Sequence, residues 1–153
     1  MDRIFKKIED GEKVLIIGIG NRLKGDDGAG SIIAEKLKEI LKKENVYIID
    51  AENKPENYIG KIKKISPSLI LIIDCADFNS FPGDFRILNI DEVKEGTIST
   101  HNFSIPLLKK LIGEIEIYLL GIQPEKISFG ENLSFSVLNS IKKILNLFCK
   151  ETS

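Results

Sequence analysis

Short β-branched apolar runs alternate along this chain with longer stretches whose apolar residues recur every third or fourth position. The runs Val14–Gly20, Val46–Ala51, Leu69–Cys75, Phe85–Ile90 and Glu116–Gly121 predict strands. The first, third and fifth are continuous apolar blocks, the pattern of strands buried on both faces. Between them, Ser31–Lys43 sets Ile32, Ile33, Leu37, Ile40 and Leu41 on one helical stripe. Glu56–Ile65 carries Ile59, Ile62 and Ile65 and is stopped by Pro67, while Asn102–Ile112 and Phe135–Lys150 predict two further helices. Strand–helix–strand–helix–strand order predicts an α/β fold: a parallel sheet with right-handed crossovers and helices on both faces. Only the connector Asp77–Asp84 is too short and turn-rich for a helix, so the fourth strand is expected as an antiparallel edge. With no repeat and no low-complexity tract, residues 1–153 read as one domain.

Composition narrows the function classes. A net charge of −1 gives no electrostatic pull toward nucleic acid or an anionic membrane. Cys75 and Cys149 stand far apart without CxxC spacing, which excludes a disulfide framework and a zinc knuckle. The amino-terminal residues lack the apolar core of a signal peptide, and no apolar run is long enough to span a bilayer. The expectation is a cytoplasmic protein, with nothing demanding more than a monomer.

The segment Gly18-Ile19-Gly20-Asn21-Arg22-Leu23-Lys24-Gly25-Asp26-Asp27-Gly28-Ala29-Gly30 joins the first strand to the first predicted helix. Glycine loops at such junctions commonly cradle phosphate, but this one delivers two adjacent carboxylates, which suit a cation instead. Open parallel sheets bind ligands beyond the carboxyl ends of their strands. Asn21, Asp26 and Asp27 follow strand one, Asp50 and Glu52 end strand two, and strand three ends in Asp74-Cys75-Ala76-Asp77. Thr100-His101-Asn102 leads into the third helix, and strand five runs out into Gln123. Two carboxylates and the chain's single histidine at one rim would suit a borderline divalent ion such as zinc or nickel, or a metal already bound elsewhere.

Each residue also has a structural reading. Asp26 or Asp27 would cap the following helix, although one cap does not account for two acids. Asp74 would cap a loop, a lone histidine is more often structural than a ligand, and Cys75 reads as a small core residue. A dinucleotide site has Gly18-Ile19-Gly20 and Asp50 in its favour, but Leu23 stands at the third glycine and aspartates lie where the pyrophosphate charge would go. GxxxxGK[ST] and GxSxG are both absent.

GIGNRLKGDDGAG resembles the signature of the hydrogenase maturation endopeptidases. The likeness continues in family order through Pro55-Glu56-Asn57, Ile73-Asp74-Cys75-Ala76-Asp77, Pro82-Gly83, Thr100-His101-Asn102 and Leu120-Gly121-Ile122-Gln123-Pro124, most like the formate-hydrogenlyase-type branch. The resemblance implies a three-layer α/β/α sandwich around a mostly parallel five-stranded sheet. It implies an endopeptidase that trims a C-terminal extension from the precursor of the [NiFe]-hydrogenase large subunit after nickel insertion. The metal-contacting and catalytic positions implied are Asp27, Asp74 and His101; Asp26 and Asp77 beside them are candidates to orient those ligands. Nickel is expected to be carried by the precursor, with no organic cofactor. One departure is Asp50-Ala51-Glu52-Asn53, where many members have a glycine-rich stretch. A nucleotide-binding module, a general peptidase and a nickel-binding chaperone without peptidase activity are the competing expectations.

Overall fold

The computed structural model describes residues 1–94 and 105–152. Its elements run α1 (Asp2–Glu9), β1 (Val14–Ile19), a 3-10 turn (Gly25–Gly28), α2 (Ala29–Ile40), β2 (Val46–Glu52), a 3-10 turn (Pro55–Tyr58), α3 (Ile59–Ile65), β3 (Leu69–Cys75), β4 (Phe85–Asn89), a 3-10 turn (Ile90–Glu92), α4 (Ile105–Ile112), β5 (Glu116–Ile122) and α5 (Phe135–Thr152). All five expected strands are present within two residues of their predicted ends. β1 and β3 are buried along their whole length, while the edge strands β2 and β4 are mostly half-buried. The sheet order is β2-β1-β3-β5-β4, with β4 antiparallel to β5 and every other pairing parallel.

Strand alternation divides the core in two. On one face Val14, Ile16, Leu71, Ile73 and Leu120 pack under α1, α2 and α5 through Ile4, Ile33, Leu37, Ile141 and Phe148. On the other, Leu15, Ile17, Ile70, Ile72 and Leu119 pack under α3 and α4 through Ile62 and Leu108. The result is the expected helix–sheet–helix sandwich.

Two expectations need correction. The sequence reading has no helix at Asp2–Glu9, yet α1 buries Ile4 and Ile8 and sets Phe5 edge-on to Phe148 at 5.3 Å between ring centres. Helix α2 starts and stops earlier than its predicted span. Leu41 turns extended at φ −97, ψ 110, so Ile40 is exposed while Leu41 is buried from outside the helix. The first three residues predicted for the third helix, 102–104, lie outside the described residues.

Candidate active site at the carboxyl edge of the sheet

Consecutive connections leave β1 in opposite directions: the chain crosses to β2 on one side and returns to β3 on the other. A crevice forms at the carboxyl ends of strands where the order reverses in this way. Here that point lies between β1 and β3, and the sequence supplies Asp27 after β1 and Asp74 at the end of β3.

The glycines allow the approach of helix to sheet. A Cβ on Gly30 would lie 2.2 Å from the carbonyl oxygen of Ile73 and 2.3 Å from that of Ile19. The first turn of α2 therefore sits directly on the ends of β1 and β3, a position open only to a residue without a side chain. Gly25 takes the left-handed conformation (φ +55) that starts the 3-10 turn. These glycines serve packing, and the turn they permit packs against β3.

The two adjacent acids point to different tasks. Neither Asp26 nor Asp27 caps the 3-10 turn or α2, so the helix-cap expectation fails. Asp26, 1% exposed, reaches across to the β5–α5 loop instead. Its Oδ2 accepts hydrogen bonds from the backbone N–H of Glu125 (2.8 Å) and Lys126 (3.0 Å) and from Ser134 Oγ (2.9 Å). Its Oδ1 accepts from the Ser134 N–H at 2.7 Å. Ser134 Oγ in turn accepts from the Val137 N–H at 3.3 Å, so Asp26 also sets negative charge at the start of α5. Four donors thus converge on this carboxylate, three on Oδ2 and one on Oδ1.

Asp27 is buried one residue on; its Oδ2 accepts a longer hydrogen bond, 3.3 Å, from the Asn21 N–H. Asp74 is fully buried, and its Oδ1 accepts from the Cys75 N–H at 2.7 Å. Cys75 is the small core residue expected, buried and unpaired. Burial pushes its thiol above the ordinary range, reinforced by the negative charges of Asp74, Asp27, Asp26 and Asp77.

The remaining rim residues are structural braces. Asp77 Oδ1 accepts from the Asn79 N–H (2.8 Å) and Gln123 Nε2 (3.2 Å), contacts that hold its carboxyl below the usual range. Gln123 Oε1 accepts from the Phe78 N–H at 2.7 Å, pinning the β3–β4 connection. Asp50 accepts from Ser31 Oγ (2.7 Å) and Arg22 Nη2 (3.0 Å), and Arg22 also pairs with Glu35 at 2.6 Å. An Asp50 so engaged is not presented to a ribose, which removes the main support for a dinucleotide site. Sequence reasoning assigned no task to Arg22, Ser31 or Ser134. Their partners lie on other elements, and no local spacing signals them.

His101 lies outside the described residues. Among the described residues, no three His, Cys, Asp or Glu side chains gather as a metal-binding set. A cleft of about 670 Å³ lined by Lys43, Glu44, Asn45 and Glu151 opens at the amino end of the sheet, away from the carboxylates. No helix among the described residues is long and apolar enough to cross a membrane.

Comparison with known proteins gives a consistent picture. A family model described as hydrogenase maturation protease matches residues 32–151. A Methanocaldococcus jannaschii protein, provisionally named a hydrogenase maturation protease, is 36% identical over 138 residues, covering 84% of this chain and 82% of its own. The hydrogenase 3 maturation protease of Escherichia coli K12 is 34% identical over 135 residues, 85% of either chain. Among solved structures, the [NiFe] hydrogenase maturation protease HycI from Thermococcus kodakarensis superposes with a TM-score of 0.81 at 29% identity, over 95% of this chain and 97% of that one.

Proposed function

This chain belongs to the hydrogenase maturation protease family, and we propose that it removes a C-terminal extension from a [NiFe]-hydrogenase large-subunit precursor, using the nickel that the precursor carries as its recognition element. In this reading Asp27, Asp74 and His101 ligate that nickel.

The observation that carries the proposal is the division of labour between neighbouring acids. Asp26 is spent on the fold through four hydrogen bonds. Asp27, in the turn after β1, and Asp74, at the end of β3, lie beside the switch point between those strands, where such folds bind ligands. Carboxylates are competent ligands for a divalent metal, and an imidazole would complete a mixed oxygen and nitrogen set with positions left for the precursor's own ligands. Ligation fixes the scissile peptide against the rim, turning an encounter of two proteins into a positioned, effectively unimolecular reaction. A metal-free precursor lacks the anchor and is left uncut, which orders the two steps of maturation.

The test incubates the purified protein with nickel-loaded and nickel-free precursor and reads the mass of the product. The loaded form is expected to lose its extension and the free form to stay intact; equal cutting of both would sink the nickel-reading idea. His101→Ala and Asp74→Asn should abolish processing of the loaded form while leaving the far-ultraviolet circular dichroism unchanged.

A further inference from the structure

We infer that Leu23, Phe129 and Phe135 form a prebuilt apolar platform that seats the precursor polypeptide beside its scissile bond. The inference rests on the protease reading above and adds the surface by which the substrate chain is held.

The three side chains are 70%, 72% and 87% exposed. Scattered exposed apolar residues need no explanation, but a concentration of them does. Every exposed phenylalanine among the described residues, Phe81 included, lies on a connection at the carboxyl edge of the sheet or on the first turn of α5.

Exposure here does not come with loose backbone. The Gly130 N–H donates to the Leu23 carbonyl at 2.9 Å, and the Asp26 N–H donates to the Lys126 carbonyl at 2.7 Å. Lys24 Nζ lies 5.3 Å from the centre of the Phe129 ring, and Ser134, the residue before Phe135, is held by Asp26. Three segments bearing solvent-facing apolar groups are thus locked together by one buried carboxylate. An interface built in advance avoids the entropy of ordering a loop on binding, and aromatic anchors on such a surface carry most of the affinity.

Continuity identifies the occupant. The latch is Asp26, and the next residue is Asp27. A peptide brought to Asp27 must leave the rim over adjoining surface, and the loop bearing Leu23 with the segment it holds is part of that surface. The matching partner is a polypeptide that puts large apolar side chains within a few residues of the cleaved bond.

Binding of nickel-loaded precursor to the intact protein, measured by biolayer interferometry alongside the cleavage kinetics, tests this. Leu23→Ser combined with Phe129→Ser, and Phe135→Ser separately, should each weaken binding by about tenfold or more and raise KM in parallel, with kcat within about twofold. Ile40→Ser, an exposed apolar position on α2, should change neither. Unaltered melting temperatures will show that the variants fold. Undiminished precursor binding by the variants overturns the platform. So does a wild-type dimer, detected by sedimentation, that the same substitutions dissociate, because the occupant is then a second copy. Precursor that binds through these residues but is never cut would leave the platform standing and refute the protease reading alone.

Discussion

Replacing Asp26 is the most informative perturbation of this fold. Asp26→Ala strands three backbone N–H groups and one hydroxyl that now converge on a carboxylate 1% exposed. Hydrogen bonds to a charged acceptor contribute about 1.5–3 kcal/mol each, but bonds that share one acceptor do not add. The stranded donors are neutral, so each costs about 1–3 kcal/mol when left buried and unsatisfied, and because they are coupled the expected total loss is about 3–5 kcal/mol. Asp26→Asn keeps the volume. Its amide oxygen can serve the Oδ2 partners, but its NH2 group then faces the Ser134 N–H, donor against donor, for a loss of about 2–3 kcal/mol. Ser134→Ala removes the hydroxyl that donates to Asp26 and accepts from the Val137 N–H at the start of α5, for about 1–2 kcal/mol. The chain has no tryptophan, so urea unfolding is best followed by circular dichroism, with the slope checked for constancy. Amide exchange at Glu125, Lys126 and Ser134 should accelerate in Asp26→Asn beyond the change in global stability. An Asp26→Ala variant within about 1 kcal/mol of wild type, or a reversed ranking, would refute the latch.

Two further outcomes follow from the same structure. Cys75 is buried and Cys149 exposed, so alkylation of the native protein near neutral pH should add one label by mass, and two in denaturant. Glu116 is tied to α1: Arg3 Nε donates to its Oε2 at 2.9 Å, and the Tyr118 hydroxyl donates to the same oxygen at 3.0 Å. The Arg3 hydrogen bond is the main cause that holds this carboxyl down, at about 2 against the ordinary 4.5. A depressed carboxyl contributes stability that is complete above about 4.5 and lost as pH falls through about 2. The urea midpoint gap between wild type and Glu116→Gln should therefore close across that window, and a gap constant from pH 7 to 2 would remove Glu116 as its source.

What could be read without coordinates follows the locality of each signal. The strands declare themselves because β3, Leu69–Cys75, is a run of residues that only a doubly covered strand can bury, and the short link after it fixes β4 as antiparallel. The placement of Asp27 and Asp74 at the carboxyl edge of the sheet was legible because one follows β1 and the other lies at the end of β3. Helix α1 was not: eight residues offer only the Ile4 and Ile8 repeat, too short to hold a helix alone, and docking against the core and Phe148 supplies the rest. The end of α2 was missed because neither glycine nor proline marks it. Capping was one alternative for Asp26, and its actual task was not legible because its partner Ser134 is more than a hundred residues away.

That separation also sets a schedule. Translation delivers the turn bearing Asp26 and Asp27 early, as a loop with nothing to fasten it. Asp74 joins only when β3 pairs with β1, Gly18 opposite Ile73, and the knot on Asp26 closes only once Ser134 and α5 have arrived. The acidic edge is therefore finished late, and a growing chain carries its ingredients without its geometry.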